Sequence, residues 1–169
     1  MESPFATLYL ALQERIKRNV RYITYIDQDL GQLGVKPRPP VSWPCALIDF
    51  EDFRFKDLSE HVQTAKGTIV IRLGFAPHSG SSSITPADYR EQALSYYDIE
   101  YHLHQALQGW SPAGECFGSL MRSSAITQPR TDGFRVRELR YKIAFDDYST
   151  KITRLTAPAT LVITKQIAG

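Results

Sequence analysis

Two runs of strict alternation constrain the fold of this chain more than any other feature. Within residues 135–146, Val136, Glu138, Arg140, Lys142 and Ala144 fall on one side, while Arg137, Leu139, Tyr141, Ile143 and Phe145 fall on the other. Within residues 66–75, Ile69, Ile71, Leu73 and Phe75 share one side, and Thr68, Val70, Arg72 and Gly74 share the opposite one. A period of two marks a half-buried β-strand, because successive side chains point to opposite faces. A sheet with one apolar face needs a cover, and an amphipathic helix precedes each of the two strand-forming regions.

The first helix is predicted over residues 3–19. Ser3 is the cap, and Pro4 suits the first helical position, where its missing N–H has no partner to lose. Phe5, Leu8, Tyr9, Leu12 and Ile16 recur at three- and four-residue spacing and form one apolar stripe, leaving Glu14, Arg15, Lys17 and Arg18 as a solvated face. The second helix has a stronger start signal. Thr85 is its cap, Pro86 its first residue and Asp88 the closing member of a capping box. It is expected to run to about Gln108, with Gly109 as its stop. Tyr89, Ala93, Tyr96, Tyr97, Leu103 and Leu107 lie along one broad side, which reads as core or subunit interface.

Residues 44–50 read as a first strand in which Ala46, Ile48 and Phe50 alternate with Leu47 and Asp49; residues 51–61 read as a polar connection. Residues 63–75 return as its hairpin partner. A Gly- and Ser-rich surface loop follows at 76–83. Residues 117–127 form a weaker third strand, and Pro129 with Asp132 and Gly133 turn the chain into the fourth. The order predicts an α+β fold: an antiparallel sheet of four strands, or slightly more, built from two hairpins with two amphipathic helices on one face. Residues 1–150 make this domain. Residues 151–169 are a β-prone extension, broken by Pro158, whose run at 160–167 is either an extra strand or an arm that adds to a neighbouring subunit's sheet.

The chemistry-bearing residues form no catalytic constellation. A net charge of +2 with interspersed acids and bases lacks the basic stripe of a dedicated nucleic-acid binder. Cys45 and Cys116 lack close spacing and read as two buried thiols of a reducing compartment. No basic segment followed by an apolar run opens the chain, and no stretch approaches the roughly 18 apolar residues of a membrane span, so a cytoplasmic location is expected. Asp27 and Asp29 lack the further ligands and late glutamate of a calcium loop. The proline run at 37–40 is a stiff connector more readily than an SH3-type ligand. Gly80 and the serines after it lack the spacing of a phosphate loop. Asp49, Glu51 and Asp52 read as solvated loop charge rather than acid–base or magnesium chemistry. His102 and His104 lie on different helical faces, and Glu100 with His104 is a lone i, i+4 pair. No metal or cofactor is expected.

The layout over residues 5–147 resembles the tail-terminator, or tail-completion, proteins of long-tailed bacteriophages and Mu-like prophages. The stretches that carry this are Leu12-Gln-Glu-Arg-Ile in the first helix and His104-Gln-Ala-Leu-Gln-Gly-Trp at the end of the second. They are joined by Phe117-Gly-Ser-Leu-Met-Arg and the last strand Glu138-Leu-Arg-Tyr-Lys-Ile-Ala-Phe-Asp-Asp. The proline-rich connector and the extension after Asp147 are longer than in the compact members of that group. The resemblance implies a structural, non-enzymatic virion protein: a homo-oligomeric ring, typically of six subunits, that caps the tail tube and joins tail to head. Its partners would be tail-tube and head-connector proteins, with DNA passing through the ring without sequence specificity. Assembly would take place in the cytoplasm of the bacterial host, and the final location would be the virion tail.

Interaction with a neighbour or the tube is expected at Arg72, Arg122 and the loops at 76–85 and 128–134, which carry His78, Ser79, Arg130 and Asp132. Two other classes compete with this reading. One is a small adaptor or binding domain. The other is a hydrolase using Glu100, His104 and an acid from 49–52, for which no nucleophile–base spacing exists.

Overall fold

A computed structural model describes residues 3–77, 80–112 and 116–151. Helix α1 (Pro4–Asn19) begins as its sequence demands, with the Ser3 hydroxyl accepting from the Ala6 N–H and proline in the first turn. Its stripe of Leu8, Leu12 and Ile16 is wholly buried. Strands β1 (Tyr25–Gln28), β2 (Cys45–Ser59) and β3 (Val62–Phe75) follow, then helices α2 (Ala87–Leu94) and α3 (Tyr96–Leu107), and strands β4 (Met121–Gln128) and β5 (Arg135–Asp147).

The strands form one five-stranded sheet in the order β1-β2-β3-β5-β4. β2–β3, β3–β5 and β5–β4 are antiparallel, whereas β1 runs parallel to β2. The expected antiparallel sheet is therefore a mixed one within the expected α+β class. Its fifth strand is too short, at four residues, to show a periodicity.

The two alternating runs behave as the pattern requires. Ile69, Ile71, Leu73 and Phe75 of β3 join Leu139, Tyr141, Ile143 and Phe145 of β5 on the face beneath α1 and α3. Ala46 and Ile48 of β2 complete that core. Helices α1 and α3 are also tied to each other: the Arg15 guanidinium donates to the Ala106 carbonyl at 2.8 Å and lies over Trp110.

Four expectations need correction. The polar connection at 51–61 is instead a continuation of β2 to Ser59, so the β2–β3 hairpin outruns the helical cover and leaves Phe55 and Leu58 exposed. A register shift after Glu51, with Asp52 at φ 56°, introduces the bulge that hid this continuation by breaking the alternation. Beyond it Phe53 turns to the helix side and packs among Phe5, Phe50 and Phe145. Its ring occupies the space above Gly67, where an added Cβ would sit 2.4 Å from it. The second helix is two helices meeting at Ser95, and its cap is Pro86 with no side-chain bond from Thr85 or Asp88. Tyr89 and Tyr97 of its proposed buried side are exposed, while Ala93, Tyr96, Leu103 and Leu107 are buried. Finally, the third strand begins at Met121; Phe117 makes only an isolated bridge to Phe145. The β-prone run at 160–167 lies outside the described residues.

Candidate assembly surface

The sheet face turned away from the helices has two parts. At one end Leu33, Cys45, Leu47 and Val136 form a second apolar cluster beneath the proline-rich connector, flanked by Trp43, which stacks on Phe134 at 4.7 Å. Burial pushes the Cys45 thiol up to about 11, so it stays protonated at neutral pH. Cys116 is only half-buried, and both thiols are free.

Next to this cluster the same face carries a ladder of charges. Cross-strand register sets Leu47, Arg72, Glu138 and Ile126 in one row, and Asp49, Val70, Arg140 and Ser124 in the next. Arg72 bonds Asp29 and reaches Glu138 at 3.1 Å and Glu51 at 3.4 Å. Arg140 binds Glu138 at 2.6 Å and Glu51 at 2.9 Å. Gln128 donates a further bond to Glu138 at 2.8 Å. Burial pushes the Glu138 carboxyl up, but the bonds from Arg140 and Gln128 and the charges of Arg72 and Arg140 outweigh it and hold the group below its ordinary value.

The residues singled out from the sequence do not converge on one site. Arg72 is half-buried at the middle of this ladder. Arg130 and Asp132 are joined to each other in the β4–β5 turn, and Arg130 also donates to the Leu33 carbonyl at 2.6 Å. They thereby pin the turn to the connector. The Arg130 hydrogen bond holds the exposed Asp132 carboxyl below the usual range. Arg122 is exposed on β4, and its N–H donates to the Gln108 side chain at 2.9 Å. His78 and Ser79 lie outside the described residues. Of the acids read as loop charge, Asp49, Glu51 and Asp52 all belong to strand β2, and Glu51 is bound within the ladder.

The Glu100–His104 pair is drawn into structure as well. Both Glu100 oxygens accept from Arg137, at 2.6 and 2.8 Å, which clamps α3 onto β5. Burial, then the nearby Arg122, lowers the His104 pKa. Among the described residues no group of three or more His, Cys, Asp or Glu is placed to hold a metal ion, and no helix is long and apolar enough to cross a membrane.

What the sequence did not single out is the contrast between the two edges of the sheet. On one side β1 covers only Cys45–Ile48 of β2, so β2 itself is the edge from Asp49 to Ser59, while Gln13 of α1 donates to the Ile26 carbonyl of β1 at 3.2 Å. At β4 the edge is eight residues long and six of them are exposed, with Met121 and Ile126 about half accessible. Its sequence, Met-Arg-Ser-Ser-Ala-Ile-Thr-Gln, contains no proline or acid; Arg122 charges it, a register shift between Arg122 and Ser124 interrupts its ladder, and the Arg122 N–H is taken by Gln108. Beside it α3 presents Tyr97 and Tyr101 to solvent. Edge chemistry is written in that composition, but it becomes readable only once β4 is known to lie outermost.

No known protein family matches this chain, and no curated protein does. A solved structure shares its fold. A chain of the virion of a native gene transfer agent particle aligns with a TM-score of 0.53 over 82% of this chain and 94% of that one. The two are 12% identical, so the likeness is one of backbone architecture.

Proposed function

We propose that this chain is a structural protein of a phage-like virion, and that it acts there as a tail terminator. In this reading its copies close into a ring on the end of the tail tube, stop the tube's growth and join it to the head, with DNA passing through. The observation that carries the reading is the architecture shared, nearly end to end, with a chain of a gene transfer agent virion. The surface is compatible with it. A sheet with two exposed and unlike edges, β2 beyond Ile48 on one side and β4 on the other, can associate head to tail, and a heterologous contact whose rotation closes gives a ring. A non-enzymatic role is supported by the pairing of the acids weighed for a hydrolase, Glu100 by Arg137 and Glu51 by Arg72 and Arg140.

Co-assembly tests the reading. Purified protein is mixed with a tail-tube subunit from the same genome and imaged by electron microscopy. Tubes of fixed length bearing a terminal ring are expected. Tubes that grow unhindered while this protein stays in solution overturn the terminator role.

A further inference from the structure

Past the charge ladder, the sheet face turned away from the helices ends in cations of a different kind. Arg72 and Arg140 are each bound to at least two acids. Arg54, Lys66 and Lys142 are exposed, and among the described residues none of them makes an ion pair. The three line one open trough of about 700 Å³ with the small residues Gly67, Thr68 and Ala144; Asp52 is its one acid. Register sets Arg54 directly opposite Lys66, and Lys142 opposite Thr68 on the next row. Like charges directly opposite one another destabilise a sheet. The arrangement therefore carries a cost that an anion seated between the cations removes. Its three members lie on β2, β3 and β5, so the patch is formed by folding and leaves no basic stripe in the sequence.

We infer that this trough binds the phosphodiester backbone of double-stranded DNA, without regard to base sequence, and so marks the face of the sheet that a closed ring turns to its bore. Lys66 and Lys142 are diagonal neighbours on adjacent strands, about 7–8 Å apart, close to the repeat of phosphates along one DNA strand. Small side chains between them let a backbone approach. Two of the three cations are lysines, which meet phosphate as compact point charges on flexible stems, and lysine is depleted from protein–protein interfaces. The choice of DNA over an acidic protein rests on the virion reading above. The test needs neither tube nor ring, so a chain that fails it and still caps tubes keeps the terminator role and loses only this assignment.

The test is fluorescence anisotropy of labelled duplexes of two unrelated sequences, titrated with the full chain from micromolar to near-millimolar concentration across a salt series. Both duplexes should bind equally, and the logarithm of affinity should fall against the logarithm of salt with a slope of about −3, one counterion for each cation of the trough. Lys66→Gln with Lys142→Gln should weaken binding at low salt at least about tenfold and flatten the slope by about two; Arg54→Gln alone should flatten it by about one. Lys17→Gln with Arg21→Gln, which removes the same charge from the exposed side of α1 and the turn after it, should leave affinity within about twofold. No binding at low salt overturns the inference. So does an equal loss in the Lys17 and Arg21 variant, which would signify attraction by net charge alone. A polyglutamate peptide of the same charge that binds as tightly as the duplex overturns it in favour of an acidic protein partner.

Discussion

Glu138 holds the polar face of the sheet together. Like Glu51 it touches both Arg72 and Arg140, but it is the more buried of the two acids and sits almost out of reach of water. Its carboxyl is held below the ordinary value of 4.5 in the folded chain, so it favours the folded state wherever it is ionised. That contribution is fully present above about pH 4.5 and is lost as pH falls through the lower, folded-state value. Glu138→Gln is therefore expected to lower stability at neutral pH by about 1–3 kcal/mol. The gap between the variant and the unaltered chain should narrow as the pH drops below 4.5, as thermal melts across a pH series would show. A gap that widens in acid would contradict this account of the ladder. None of it follows from spacing along the chain. Arg72 was recognisable as an exposed-face arginine of an alternating strand, but its partner Asp29 is 43 positions away and sits just past a strand too short to be noticed.

Among the elements, α3 adds to its buried Leu103 and Leu107 one two-pronged ion pair with β5. Arg137 lies on the helix-covered face of β5, opposite Leu73 of β3, where a charge is out of place unless paired. Glu100 supplies the pair, and Thr127 of β4 accepts a further bond from the same guanidinium at 2.6 Å. Glu100→Ala leaves that guanidinium without its carboxylate and should cost about 2–4 kcal/mol in urea unfolding. Adding Arg137→Leu should restore part of the loss, since a paired charge and an apolar side chain are comparably tolerated in such a place. Equal additive losses would show that the pair does not hold the helix. At this scale the sequence was most legible where one periodicity ran unbroken: α1, β3 and β5 stand close to where their patterns put them. It was least legible where a local irregularity interrupted the pattern. The bulge at Asp52 hid the second half of β2, and the break at Ser95 carries neither proline nor glycine to announce it. The outermost position of β4 was invisible for a different reason, because which strand lies at the edge is decided by the pairing order and not by the strand's own residues.

Across the whole molecule, β3 and β5 are flanked by strands on both sides and lie beneath the helices, while β1, β4 and the far end of the β2–β3 hairpin are peripheral. Exchange rates in dilute solution should follow that order. The amides of Ile69, Ile71, Leu139 and Tyr141 should be the last to exchange, at the free energy of global unfolding, and those of residues 55–61 among the first. A hairpin tip as slow as β3 would mean that it folds against something not apparent in the single chain. The strand order has a further consequence during synthesis. β5 is inserted between β3 and β4, yet among the described strands it is the last made. On the ribosome, the long apolar flank of β3 therefore waits for its permanent neighbour while roughly seventy more residues are added, on the order of 4–14 s at ordinary elongation rates. Through that interval the nascent chain displays an open strand to everything around it. Synthesis slowed between β3 and β5 should therefore lower the yield of folded protein in a cell-free reaction while leaving the stability of the finished sheet unchanged.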